Sequence, residues 1–335
     1  MGTRREFLRA AGGIAALALT HGCSDPVYKG RIAYLLRQQG QNLELSLEVV
    51  DLAAAGTRSL RSLYTSHIGD LAVNGNDLYI AAFPEEILKR VSVGTGGVVD
   101  LQRDQRFAYR FPSPLGDGFC AASLRESGNG GAHFHIGIVD DQQTRVIVED
   151  IAQTQYAATR RGPDVAVAYA KQRESMLEIW KGIWTPENGQ LRNDQQVGDI
   201  PMAPPDPFKP QQLFLRFVGD ALTVSDSSIG CLYYEKDGYL SQAVLAQDAR
   251  MIKPGSYLYV DQDDRRASLV LDDGSPREIW RTGGMIRISD IQDSVALLTR
   301  RDVYGTAMII VDVYSQERMI VPQKKGMPFM PLFLD

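Results

Sequence analysis

An apolar strand, a polar turn and a second apolar strand recur along nearly the whole chain, and this repeat constrains the fold more than any other feature. The turns fall near Ala54, Thr95, Asp141, Asn188, Asp237, Asp273 and Ser315, a mean spacing of about 43.5 residues. A second marker keeps step with the first. Gly and Asp stand together just before an apolar run at Gly75-Asn76-Asp77, Gly116-Asp117, Gly162-Pro163-Asp164 and Gly219-Asp220. Glycine tolerates positive φ and aspartate bonds back to the backbone, so both suit tight hairpins. The runs between are rich in Val, Ile, Leu and Tyr, as at 77–81, 164–169, 256–260 and 307–311. No amphipathic helix interrupts them.

A supersecondary unit repeated every 40–50 residues buries its faces only by stacking on its neighbours. Seven such units predict an all-β chain, with residues 31–335 forming a seven-bladed β-propeller. A six-bladed ring and a two-sheet sandwich stay open as alternatives. The resemblance is to propeller proteins of the bacterial envelope, and it is one of pattern, with no family-specific motif. The first unit, from Arg31, supplies only three strands. The apolar stretch Pro328 to Leu334 is expected to provide the missing innermost strand, which would close the ring and remove an open sheet edge. With 335 residues, 44% of them hydrophobic, a core forms without disulfide or metal staples.

The N-terminus carries an address. Thr3-Arg4-Arg5-Glu6-Phe7-Leu8-Arg9 resembles the twin-arginine export signal, and the short small-residue segment from Ala10 to Thr20 is too brief for a membrane span. The resemblance implies a bacterial or archaeal source and export of an already folded chain, with Arg4 and Arg5 read by the export receptor. Gly22-Cys23 before Ser24-Asp25-Pro26 resembles a lipoprotein cleavage site, although Thr20 and His21 depart from the usual residues and Ala16-Leu17-Ala18 offers an ordinary cleavage site instead. This reading divides the chain into a signal peptide (1–22), a lipidated tether starting at Cys23 (23–30) and the propeller (31–335). The protein is then expected in the periplasm or at the cell surface, held to a membrane through its lipid anchor alone.

Charge narrows the partners. The whole chain has a formal net charge of −5, and loss of residues 1–22, with three arginines and one glutamate, makes it more acidic. A nucleic-acid partner would need a concentrated basic face and is not expected. Cys120 and Cys231 lie in strand-like apolar settings, which favours two buried thiols over a disulfide. The segment 201–210 has five prolines and reads as a stiff connector or the wall of a ligand site.

Enzyme motifs are missing from the sequence: no Cys-x-x-Cys-His, His-Glu-x-x-His, Gly-x-Ser-x-Gly or phosphate loop occurs. Nor do Trp180, Trp184 and Trp280 show the recurrent spacing of quinone-cofactor propellers. Beyond the signal the histidines are His67, His133 and His135. His133 and His135 fall on one face of a strand, and with His67 they are expected on the side of the ring where interblade connections open. Three imidazoles there suit copper or zinc. Arg281, before the Gly283-Gly284 turn, joins them as a candidate ligand-binding residue, and Arg265-Arg266, Arg300-Arg301 and Lys324-Lys325 are expected in loops of the same face. Asp261-Gln262-Asp263-Asp264 reads as a polar turn. Two functions follow as expectations. One is a binding or accessory module for an envelope protein or small ligand. The other is a periplasmic metal-dependent oxidoreductase or hydrolase built on the histidines.

Overall fold

The computed structural model describes residues 27–334, apart from 38–43, 55, 65–66, 84–86, 102–103, 129–130, 153–155, 204–210, 227, 262, 264, 272–273, 304 and 324–326. Arg4, Arg5 and Cys23 lie outside the described residues, as do Lys324-Lys325 and most of the proline-rich segment. The described residues form seven four-stranded antiparallel sheets, arranged as the blades of a propeller. In the second to seventh blades the strands run in chain order from the axis outward. Their innermost strands are His67–Asn74, Phe107–Gly116, Ala157–Arg161, Leu213–Val218, Asp248–Lys253 and Met285–Gln292.

The first blade is assembled from both ends of the chain. Met327–Phe333 is its innermost strand and pairs with Arg31–Arg37, as the sequence predicts. All seven of the turns identified from the repeat connect the third and fourth strands of a blade. The Gly–Asp pairs mark turns between the first and second strands. Because neighbouring strands are antiparallel, both kinds of turn lie on one side of the ring, the turn face. Connections between second and third strands, and between blades, lie on the other, the crossover face.

Packing explains why second strands read as unbroken apolar runs. Side chains alternate across a strand, and both faces of a blade are covered by neighbours. In Arg31–Arg37, Ile32, Tyr34 and Leu36 face the seventh blade while Ala33 and Leu35 face the second. Val165, Val167 and Tyr169 face the third blade and Ala168 and Ala170 the fifth. Among the described residues there are seven apolar clusters, one at each interblade seam. The seam between the fifth and sixth blades is the smallest, built on Leu232, Ala246 and Ala249 with Tyr257 and Tyr259 against them. Cys120 and Cys231 are both buried, unbridged thiols. Burial pushes the Cys120 thiol far above its ordinary pKa, so it packs as a small apolar side chain.

Candidate functional site

The innermost strands leave one edge without a strand partner, and these edges line a channel of about 1360 Å³ through the ring. Unpaired backbone groups there need partners. Bulges break the register of the innermost strands at Arg110/Ser113 and Ile288/Asp290. Beside them a carboxylate from the preceding blade takes up the N–H group. Asp70 Oδ2 accepts from Phe111 at 3.0 Å and Asp248 Oδ2 from Ile288 at 2.7 Å. Asp290 Oδ2 accepts from Phe333 at 3.1 Å, which ties the seventh blade to the closing strand. Phe111 and Met330 line the channel at φ near 50° (49° and 48°). Each precedes a proline, and such backbone persists only where its surroundings hold it.

Basic side chains gather on one side of this channel. Arg216, Arg250 and Arg287 come from the innermost strands of the fifth, sixth and seventh blades. Their guanidinium groups meet along residues 286–290 of the seventh blade. Arg287 Nη1 donates to the Ile286 carbonyl at 3.0 Å and Arg250 Nη2 to the Ile288 carbonyl at 3.3 Å. Arg216 Nη2 stops 3.7 Å from Asp290 Oδ1. Its side chain is 42% accessible, but to water inside the channel. Burial there, and then the neighbouring Arg250 guanidinium, pull Arg216 below the usual arginine range, with Asp290 opposing the shift only in part. Arginine still stays charged. Phe214, Met285 and Met327 stand at the start of their strands and form an apolar rim where the channel opens on the crossover face. Arg301 lies beside Met285 at this rim.

The residues singled out in the sequence sit elsewhere. His133 and His135 share one face of the third strand of the third blade, Gly131–Val139. His133 Nδ1 is 3.1 Å from Asp150 Oδ1, and the Asp150 N–H donates to His135 Nδ1 at 3.3 Å. His135 is buried, edge-on to Phe107, with Nε2 3.5 Å from Glu126 Oε2 but outside hydrogen-bond alignment. His67 opens the innermost strand of the second blade, and its side chain is outside what the structure describes. Among the described residues no group of three or more His, Cys, Asp or Glu side chains is placed to hold a metal ion. Arg281 ends the outermost strand of the sixth blade, exposed and bonded to Glu278 Oε2 at 2.9 Å.

The expected loop charges need correction. Arg300 and Arg301 belong to the strand Val295–Asp302, and Arg266 opens the strand Arg266–Val270. Arg266 is paired with Asp261. Pro201 ends the strand Gln190–Pro201, because the last position of an edge strand tolerates the missing N–H. Sequence reading missed the channel arginines because it followed the outer turns. Arg216, Arg250 and Arg287 each stand third or fourth in an innermost strand of three consecutive blades, a correspondence that shows only once those strands are known to be innermost.

No protein-family model matches the chain, and no curated protein matches it in sequence. Solved structures do share its fold. TolB from Acinetobacter baumannii is 13% identical with a TM-score of 0.53, over 95% of this chain and 69% of that one. Apo AztD from Citrobacter koseri is 8% identical with a TM-score of 0.53, over 91% and 97%. Oligogalacturonate lyase from Vibrio parahaemolyticus is 10% identical with a TM-score of 0.57, over 88% and 96%. At these identities the likeness shows a common architecture, and function has to be argued from the site.

Proposed function

We propose that this chain is an exported β-propeller binding module, sent out through Arg4 and Arg5, attached to a membrane through lipid on Cys23, and receiving an envelope protein or small ligand at its crossover face. The observation that carries this reading is the channel, with an apolar rim on the crossover face and an arginine cluster within. A concave site with a few convergent polar groups is the form a ligand site takes.

The start of the propeller supports the same orientation. Tyr28 packs against Phe333, ring centroids 4.7 Å apart, and its hydroxyl donates to Gln292 Oε1 at 3.3 Å. Phe333 and Gln292 both end innermost strands, so Tyr28 lies at the turn face. From Cys23 to Val27 the chain spans at most about 14 Å when extended. A lipid on Cys23 therefore holds the turn face toward the membrane and leaves the channel mouth pointing away from it.

Photo-cross-linking in intact cells tests this. Val303, 91% exposed, lies in the connection between second and third strands of the seventh blade on the crossover face, and Tyr239, 71% exposed, lies beside a turn on the opposite face. A photoreactive side chain in place of Val303 should give an adduct that one in place of Tyr239 lacks, and Cys23→Ala should move the protein from the membrane to the soluble fraction. Equal adducts at both positions, or none at either, would count against the reading.

A further inference from the structure

We propose that the ring has a built-in opening joint between its fifth and sixth blades, where the channel wall parts about the Ala246-Gln247 link. This goes beyond the binding reading and holds whatever the channel receives.

Alternation along the strands shows what fills this joint. In the second strand of the fifth blade, Ala221–Asp226, Leu222 and Val224 pack against the fourth blade, which turns Thr223 and Ser225 toward the sixth. At the same place Arg31–Arg37 and Asp164–Arg173 put apolar side chains on both faces. Across the joint the sixth blade offers Ala249, with Tyr257 and Tyr259 only partly buried. Its Ala267 and Leu269 turn to the seventh blade, so Ser268 between them faces the fifth. Phe214 also points toward the sixth blade, since Leu213 and Leu215 pack on the fourth, yet it stays 45% exposed. Hydroxyl groups can trade a protein partner for water, so parting this seam costs less than parting the larger apolar clusters of the other six.

The ties across the joint have the same character. Carboxylates fasten other joints, Asp70 to the Phe111 N–H, Asp248 to that of Ile288 and Asp290 to that of Phe333. Between the fifth and sixth blades, Ser225 Oγ donates to the Ala249 carbonyl at 2.9 Å and the Tyr257 hydroxyl to the Ala243 carbonyl at 3.4 Å. Both bonds are neutral and hold less than charge-assisted ones. At the channel, Arg216 of the fifth blade meets the like charge of Arg250 of the sixth. The link itself is anchored on both sides. The Ala246 N–H donates to the Gly230 carbonyl at 2.6 Å and the Gln247 N–H to the Val260 carbonyl at 2.9 Å. One bond into each blade makes the link a hinge, and local opening falls where packing is least.

Thiol labelling of the folded full chain tests the joint without any ligand. With Cys23, Cys120 and Cys231 changed to Ala, a single cysteine is placed at a buried alanine of one seam at a time. Ala249→Cys reports on the fifth and sixth blades, Ala168→Cys on the fourth and fifth, Ala267→Cys on the sixth and seventh, and Ala33→Cys on the seam beside the closing strand. Iodoacetamide is expected to alkylate Ala249→Cys at least roughly tenfold faster than the other three, which corresponds to about 1.4 kcal/mol less to open. In urea below the unfolding transition its rate should also rise less steeply than theirs, because local opening exposes less surface than global unfolding. Circular dichroism checks each fold, and Thr223→Cys, at a buried position of the same seam, serves if Ala249→Cys does not fold.

Equal rates at the four seams, a fastest rate at Ala33→Cys, or the same steepness in urea at every position would overturn the proposal. None of these outcomes changes the adducts expected at position 303, so the opening joint and the crossover-face reading fail separately.

Discussion

Asp70 is a carboxyl group under two opposed demands. Burial in the channel wall raises its pKa, while the Phe111 N–H and the Arg110 charge favour the ionised form. The net shift is upward, so the folded state holds the proton more tightly than the unfolded chain. Stability from this group is fully present below the unfolded value of about 3.9 and is lost as pH rises through the higher folded value. Asp70→Asn keeps an acceptor for Phe111 and removes the charge. Urea unfolding should therefore show the variant more stable than the parent at pH 7, with the advantage gone at pH 3. An advantage that persists unchanged at pH 3 would refute this account. The histidines lie at the same scale and were easy to read, because period-two alternation alone puts His133 and His135 on one face. Their partners were not legible. Asp150 reaches them only because the chain returns beside the third blade.

Strands and seams differ in how much they hold. Most seams pack Leu, Ile and Val from both sides, but the one between the fifth and sixth blades relies on Leu232 among alanines and tyrosines. The same two blades bring Arg216 and Arg250 together, so a like-charge contact borders the smallest seam. Removing Leu232 should be costly, since few large neighbours can relax into the space. Leu232→Ala is expected to lower unfolding free energy by about 2–5 kcal/mol, and Leu245→Ala, at an exposed site, by less than about 0.5 kcal/mol. Chemical denaturation of both variants checks the contrast. The hairpins themselves were legible because their signals are local. Asp140 accepts from the Gln142 and Gln143 N–H groups, and Asp312 from those of Tyr314 and Ser315, all within three residues. The innermost strands gave weaker signals, because their bulges and the carboxylates that cap them answer to the next blade.

Closure acts on the whole ring. Met327–Phe333 completes the first blade, and its Phe333 N–H donates to the Asp290 carboxylate of the seventh. Phe333 and Leu334 also enter the two seams on either side of the first blade. Deleting residues 327–335 would uncover the edge of Arg31–Arg37 and open both seams, and an open edge invites pairing with other chains. The truncated protein should melt at lower temperature and elute as aggregates in size-exclusion chromatography. A monomer with the parent melting temperature would show that the closing strand is dispensable.

The blade number, the outer turns and the closing strand were all determined by the sequence itself, since each rests on hydrogen bonds and alternation within a few residues or on a period repeated seven times. The same alternation puts His133 and His135 on one face of a third-blade strand, but it gives neither them nor Arg281 a role. The arginine channel was decided by tertiary structure alone. Arg216, Arg250 and Arg287 are dozens of residues apart, and nothing near any of them marks it as part of a site. Only when the blades close around an axis do three unremarkable strand positions point their charges at one stretch of backbone, because the innermost edge of every blade must face the same channel.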